Sequence, residues 1–355
     1  MKILILGGTG AMGNHLAPLL AAHGHSIFVS SRSRSGSDGN IKYLTGNAQE
    51  AAFISTLLEQ TWDAIIDFMV YSTAVFAQRN SQFLSATGHY IYLSSSRVYA
   101  HSEQPLTENA PRLLDVSTDQ TYLATDEYAL TKARQENILF ESSPQNWSIV
   151  RPYITYSDQR LQLGVQEKED WLYRALNGRS IADSQVIQSK VTTLTYGQDV
   201  ARAIAALLGQ PSAQGEAFHI TSDYSIRWSE VLDIYLNVLQ EHTAGRPAVI
   251  LQDTETFMRW RSSRYQVIYD RFYDRRFDNR KINQYINTSD FVTPQAGLTE
   301  SLRRFISAPK PRFQALSWKA EAIKDRLFDE RTPLEEIPGL KQKAKYTLFR
   351  HFPIA

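Results

Sequence analysis

Apolar and polar positions fall into two kinds of block through the first 150 residues. Short apolar runs at 2–6, 26–30, 41–44, 63–68, 89–94 and 147–151 read as strands. Stretches with helical character lie between them, at 11–23, 48–60, 72–86 and 126–141. Ile3 to Leu6 is apolar at every position, the pattern of a strand buried on both faces. Alternation of this kind predicts a parallel sheet with helices on both faces, whose ligand lies at the carboxyl ends of the strands. Residues 30–40 are Ser-, Arg- and Gly-rich and read as a polar loop, and 100–125 as an irregular excursion. After Pro152 the pattern becomes irregular, with a strand and helix expected at 191–209 and a helix at 228–241. A last helix-like piece, Ser317 to Phe328, sets Trp318, Ala322, Ile323 and Leu327 in an apolar stripe. Such a stripe needs a partner surface, either its own domain or a second copy of the chain.

The first strand ends in glycines: Gly7, Gly10 and Gly13, in the order Gly-Gly-Thr-Gly-Ala-Met-Gly. A strand that turns on glycines into a helix is a device for holding a pyrophosphate. Gly7 allows the tight turn, Gly10 lets the backbone approach the phosphates, and Gly13 lets the helix pack closely on the strand. The helix N-terminus then offers free N–H groups and partial positive charge to the anion. The spacing G-x-x-G-x-x-G departs from the commoner G-x-G-x-x-G, so the strand and helix that bracket it carry the reading.

A second constellation adds chemistry. The strand at 89–94 runs into Ser94-Ser95-Ser96-Arg97-Val98-Tyr99, and Tyr128-Ala-Leu-Thr-Lys132 follows on a helical segment. Tyr and Lys at i and i+4 share one helix face. An ammonium there favours the phenolate and lowers the phenol pKa from its usual value of about 10. Such a tyrosine can exchange a proton with a sugar or alcohol hydroxyl near neutral pH, and a serine from the strand end can hold the same oxygen.

Bulk properties narrow the classes. The 355 residues suffice for one large or two modest domains. A formal net charge of +1 gives no electrostatic footprint for nucleic acid. With no cysteine there is no disulfide and no thiolate chemistry, and the eight histidines show no metal-ligand spacing. The start is unlike a signal peptide, and no apolar run approaches the roughly 18 residues of a membrane span. The expectation is a cytoplasmic protein without metal, membrane or nucleic-acid partner.

Taken together, these motifs resemble the extended short-chain dehydrogenase/reductases, in the branch of nucleotide-sugar epimerases, dehydratases and reductases. The resemblance runs from Met1 to about residue 307. It includes Val150-Arg151-Pro152, Leu194 to Ala201, Phe218 to Asp223 before Trp228-Ser229-Glu230, and Arg275 to Ile282. It implies an α/β fold: a Rossmann-like doubly wound parallel sheet, with a smaller C-terminal substrate-binding domain. The implied division is 1–152 for the dinucleotide, with the return at 191–209, 153–310 for the substrate, and 311–355 as an extension.

The resemblance also implies roles. Counting back from Val98 makes Ser95 the catalytic serine, with Ser96 as the fallback and a substrate contact. Tyr128 exchanges the hydroxyl proton, and Lys132 holds the nicotinamide ribose and tunes Tyr128. Gly7, Thr9, Gly10, Met12 and Gly13 take the pyrophosphate turn, and Phe68 and Met69 wall the cofactor. Asn47 stands where many relatives place Asp near the adenine. Thr155 and Arg276 are assigned to substrate, Arg276 to the nucleotide-sugar pyrophosphate; Arg160 and Lys168 are weaker candidates. Arg32 and Arg34 follow the second strand where an acidic residue would hold the ribose of NAD. An arginine there accommodates a 2′-phosphate, which favours NADP over NAD. Ser96 and Arg97 replace the acidic pair of 4,6-dehydratases, which disfavours dehydration.

The expected activity is therefore hydride transfer at C4 of a nucleotide-linked sugar with NAD(P), first as a 4-epimerase. The alternatives are an NADPH-dependent 4-keto-sugar reductase and a non-catalytic dinucleotide-sensing or RNA-associated protein. A homodimer is expected through the helices near 72–86 and 126–141.

Overall fold

The computed structural model describes residues 1–243, 245–309, 313–314 and 316–352. They divide into two compact units. The first comprises Met1–Tyr156, Thr193–Ser225 and Arg275–Thr293; the second Ser157–Thr192, Ile226–Asp274 and Pro294–Ala355. The expected boundary at 310/311 lies outside the described residues.

Along the chain, β1 (Lys2–Leu6), α1 (Gly13–Ala22), β2 (Ser26–Ser31), β3 (Gly36–Asp38) and β4 (Ile41–Thr45) come first. They are followed by α2 (Ala51–Leu57), β5 (Ala64–Asp67), α3 (Thr73–Ser85) and β6 (Tyr90–Leu93). A 3₁₀ turn at Ser96–Val98 precedes the short α4 (Leu113–Val116) and α5 (Gln120–Leu123), then α6 (Tyr128–Phe140), β7 (Trp147–Pro152) and β8 (Ile154–Tyr156). Next are α7 (Lys168–Leu176), β9 (Ile181–Ser184), α8 (Gln185–Gln188), β10 (Val191–Tyr196), α9 (Gly197–Leu207), β11 (Glu216–Ile220) and β12 (Ser225–Arg227). The chain continues through α10 (Trp228–His242), β13 (Val249–Gln252), α11 (Thr254–Met258), α12 (Arg264–Gln266), α13 (Pro294–Ser307), α14 (Trp318–Phe328) and α15 (Gly339–His351).

An eight-stranded sheet in the order β11-β7-β6-β5-β1-β2-β4-β3 forms the first unit. All its pairs are parallel except β3 with β4. The switch point lies at β1, whose neighbours are β2 on one side and β5 on the other. Alternation along β1 explains its unbroken apolar run: Ile3 and Ile5 pack with Leu16 and Leu20 of α1 and Val200 and Ile204 of α9. Leu4 and Leu6 face the other way, toward Ile54, Phe76, Phe83 and Leu139 of α2, α3 and α6. Both faces are thus covered, the arrangement a doubly wound parallel sheet requires. A smaller parallel pairing sets β8 beside β10, with Thr155 opposite Thr195.

Three local expectations are corrected. The polar stretch 30–40 holds β3, which folds back on β4 through Gly39 at φ 53°. The helix expected at 48–60 is confined to Ala51–Leu57, because Asn47 turns the chain before it by accepting the Gln49 N–H at 3.1 Å. The helix-like piece at Ser317 to Phe328 is not the last helix, because α15 follows it.

In the second unit β9 and β13 pair in parallel. Trp318 and Ala322 of α14 are buried with Tyr173 of α7, Ile337 and Tyr346. The apolar stripe of the extension therefore packs within its own unit.

Candidate active site

The glycine turn follows β1. Gly7 has φ +70°, where a side chain would be strained, and a Cβ there would stand 2.9 Å from Met69 Sδ. Its N–H donates to Ser30 Oγ at 3.1 Å, which ties the turn to the end of β2. At Gly13 a Cβ would stand 2.5 Å from the Gly8 carbonyl carbon and oxygen, so only glycine lets α1 approach the turn. Gly10 differs: a Cβ there would meet nothing within 4 Å, and the backbone faces open space. Thr9 is exposed and Met12 partly buried. No side chain caps α1; the free N–H groups expected there are in part engaged, since the Asn14 N–H donates to the Gly10 carbonyl at 3.1 Å and the His15 N–H to the Met12 carbonyl at 3.0 Å. These features fit a dinucleotide pyrophosphate.

Asp67, at the end of β5, is fully buried and accepts from the Met69 N–H at 2.9 Å and the Tyr90 hydroxyl at 2.8 Å. Burial pushes its carboxyl up to about 6, against those hydrogen bonds, the charge of Lys132 and the Tyr71 hydroxyl. The chain is thereby fixed where Phe68 and Met69, both partly buried, leave the strand. Asn47 is also partly buried and donates to Glu50 at 3.1 Å. Arg32 is exposed, whereas Arg34 lies over the Tyr43 ring at 5.6 Å.

Tyr128 is the first residue of α6, and Glu127 caps the helix by accepting the Ala129 N–H at 2.7 Å. Lys132 lies one turn on, with Nζ 5.9 Å from the Tyr128 ring centroid. Its ammonium donates to the Leu93 carbonyl at 2.6 Å. Burial pushes that ammonium down to about 8, although Asp67 and Glu136 act to raise it. Ser95 caps the 3₁₀ turn, its Oγ accepting the Arg97 N–H at 3.2 Å. Since that bond uses only a lone pair, the Ser95 hydroxyl proton is not consumed by it.

Ser94 and Ser96 are otherwise engaged. Ser94 donates to Glu136 at 2.6 Å, and Ser96, fully buried, donates to the Arg151 carbonyl at 2.7 Å. Thr155 is buried and donates to the Tyr153 carbonyl at 3.2 Å. Arg276 is exposed, while the preceding Arg275 is buried and donates to the Ala100 carbonyl. Arg160 pairs with Glu167 at 3.3 Å and Lys168 with Glu169 at 2.9 Å, both in the second unit.

Two features escaped the sequence reading. Glu136 and Arg151 form a buried two-pronged pair, at 2.7 and 2.8 Å, that ties α6 to β7. The i, i+4 series 128, 132, 136 was its available signal. Arg97 pairs with Glu127 at 2.5 Å, a contact that no local spacing announces. Among the described residues no group of three or more His, Asp or Glu could hold a metal ion. Likewise, no described helix is long and apolar enough to cross a membrane.

The chain belongs to the NAD dependent epimerase/dehydratase family, whose model matches residues 3–221. A curated relative is the chloroplast stem-loop binding protein of 41 kDa b of Arabidopsis thaliana, 27% identical over 241 residues. That match covers 62% of this chain and 59% of the relative, so the chain spans about three fifths of its length. Among solved structures, the Bordetella bronchiseptica enzyme WbmH in complex with NAD+ is 15% identical, with a TM-score of 0.64. It covers 87% of this chain and 99% of its own. The UDP-glucuronic acid 4-epimerase of Bacillus cereus, in complex with UDP-glucuronic acid and NAD, is 16% identical with a TM-score of 0.61. The match covers 84% of this chain and 96% of that enzyme. At such identities the likeness is one of fold, the extended short-chain dehydrogenase/reductase fold with its Rossmann-like sheet.

Proposed function

We propose that this protein is an NAD(P)-dependent nucleotide-sugar 4-epimerase. The observation that carries the reading is the placement of Tyr128 and Lys132 one turn apart on α6, in the same unit as a glycine turn suited to a pyrophosphate. Bound NAD(P) would supply the hydride acceptor and donor. The Tyr128 phenolate takes the proton of the C4 hydroxyl as the alcohol is oxidised and returns it when the ketone is reduced from the other face. Lys132 favours the phenolate and reaches the nicotinamide ribose, and Ser95 donates to the same C4 oxygen. Gly7, Thr9, Gly10, Met12 and Gly13 hold the pyrophosphate, Phe68 and Met69 wall the cofactor, and Asn47 stands toward the adenine. Thr155 and Arg276 address the substrate; the engaged hydroxyl of Ser96 weakens its claim to a substrate contact. The protein works as a homodimer through α3 and α6.

Arg32 supports NADP, because it is exposed just beyond β2 and no acidic residue precedes Asp38. The related structures named above contain NAD, which makes NAD the alternative. With NADPH consumed stoichiometrically, the same residues serve a 4-keto-sugar reductase. Absorbance and mass of the nucleotide retained on purification separate the two: retained NAD(H) supports the epimerase, an empty site that takes up NADPH the reductase. Thermal-shift titration with UDP, GDP, CDP and dTDP then names the nucleotide, since a ligand of the native state raises its apparent stability.

A second reading, stem-loop RNA binding, is favoured by the name of the Arabidopsis relative. Mobility shifts with a stem-loop RNA test it. A steep loss of affinity with salt would support it, whereas no shift at micromolar protein would remove it.

A further inference from the structure

Tyr128 faces a second cation. Arg97 Cζ stands 5.4 Å from its ring centroid, nearer than the Lys132 ammonium at 5.9 Å. The guanidinium is fixed there by Glu127, which also caps α6 and receives the Tyr122 hydroxyl at 3.4 Å. Both partners are 15% exposed, so solvent screens the pair only in part. Each is also tethered to a group of the site. Arg97 belongs to the turn that Ser95 caps, and Glu127 immediately precedes Tyr128. The ion pair therefore spans the two side chains that must address one oxygen.

We propose that Arg97 is a positioning residue for Tyr128: anchored on Glu127, its guanidinium sets the phenol against Ser95 and joins Lys132 in stabilising the phenolate. This rests on the reading of Tyr128 as the acid–base group. Charge persistence distinguishes the two cations. Lys132 is buried, its ammonium pushed down to about 8, so its charge fades in mildly alkaline solution. A guanidinium stays charged throughout that range. Other charged or titratable groups bearing on the phenol are Glu127, whose charge opposes the phenolate, and Tyr92, buried on β6. Asp67 and Glu136 act through Lys132.

The test reads Tyr128 directly in the full-length protein carrying [¹³Cζ]tyrosine, its resonance assigned by loss in Tyr128→Phe. An opposite charge within about 4–6 Å of an ionising group typically moves its titration by about one pH unit or more. In Arg97→Met the resonance should titrate at least about one pH unit higher than in wild type, and Arg97→Lys should restore part of the difference. Should Arg97→Met fold poorly, Arg97→Gln offers the same comparison, with thermal unfolding as the folding control. In turnover, the alkaline-rising limb of kcat should move to higher pH by the same amount with KM little changed. Identical Tyr128 titration in wild type and the uncharged variants would overturn the proposal. If wild type converts no nucleotide sugar, the functional reading fails while the resonance titration still decides the role of Arg97.

Discussion

The Lys132 ammonium donates to the Leu93 carbonyl at 2.6 Å, which joins the helix bearing Tyr128 to the end of β6. A lysine 1% exposed is costly to keep charged. Its native value of about 8 lies below the unfolded value of about 10.5, so the cost is present in full below pH 8. It disappears as pH rises toward 10.5. At 1.36 kcal/mol per unit, Lys132→Met should stabilise the first unit at pH 7 by up to about 3 kcal/mol. That gain should shrink at pH 9.5 while cofactor-dependent turnover is lost. Denaturant midpoints at the two pH values check it; a destabilised variant at pH 7 would count against it.

Tyr128→Phe should retain the fold and cofactor binding, because the phenol stands at the first position of α6 and the ring is kept. Turnover should fall by a factor on the order of 10² to 10⁴, the usual contribution of a positioned acid–base. Steady-state kinetics with sugars carried on the nucleotide that thermal shift names measures this. Near-wild-type turnover would end the assignment.

Arg32→Asp should weaken NADP(H) and spare NAD(H), because a carboxylate repels the 2′-phosphate that a guanidinium would clasp. Arg34→Ala should matter less, since the Arg34 guanidinium, although exposed, lies over the Tyr43 ring. Fluorescence titration of both dinucleotides on both variants distinguishes them. Equal losses for the two dinucleotides in Arg32→Asp would make it a loop residue only.

The doubly wound sheet was legible because its strands are buried on both faces, so runs such as Ile3 to Leu6 are apolar at every position. Glycine positions were legible for a related reason: Gly13 sits where any Cβ would collide with Gly8. What was not legible depends on distant pairing. Arg97 reads only as a replacement for an acidic residue until Glu127 meets it, and the hydroxyl of Ser96 reads as available until the Arg151 carbonyl accepts it. The helix α15 lacks a periodic apolar signal, since Leu340 and Leu348 lie exposed at 86% and 43%, and Tyr346 is its one buried residue.

His89 should make the first unit acid-sensitive. Its Nδ1 accepts the Gly209 N–H at 3.1 Å, and its Nε2 lies 2.8 Å from Ser148 Oγ, an arrangement that suits the neutral ring. Burial pushes its pKa from 6.5 down to about 4. Between those values the unfolded chain binds the extra proton, so stability falls as pH drops from 6.5 to 4. The loss is about 1.4 kcal/mol per pH unit, or about 3 kcal/mol across the window. His219, also lowered to about 4, adds to this slope. Asp67 opposes it, because its raised value favours the native state as pH falls from about 6. His89→Gln should flatten the stability–pH slope by about one proton in urea titrations between pH 4 and 6.5. An unchanged slope would show that the ring is not buried neutral.

Arg174 should hold the C-terminal extension to the second unit. Its guanidinium is fully buried and reaches Glu321 and Asp325 at 2.8 Å and Glu330 at 2.5 Å, all beyond α13. It also donates to the Ser180 carbonyl at 2.8 Å. Asp325 in turn receives the Tyr346 hydroxyl at 2.7 Å, which brings α15 into the same network. Lys324 contacts Glu321 and compensates part of its charge, but Asp325 has no comparable second cation among the ion pairs of the described residues. Arg174→Ala would leave buried carboxylates without their main partner, a change that typically costs about 3–5 kcal/mol. The denaturant midpoint of the second unit should fall accordingly. Because Trp318 and Ala322 already bury their surface within that unit, light scattering should give the same mass for Arg174→Ala as for wild type. A monomeric variant beside a dimeric wild type would place the extension in the subunit contact instead.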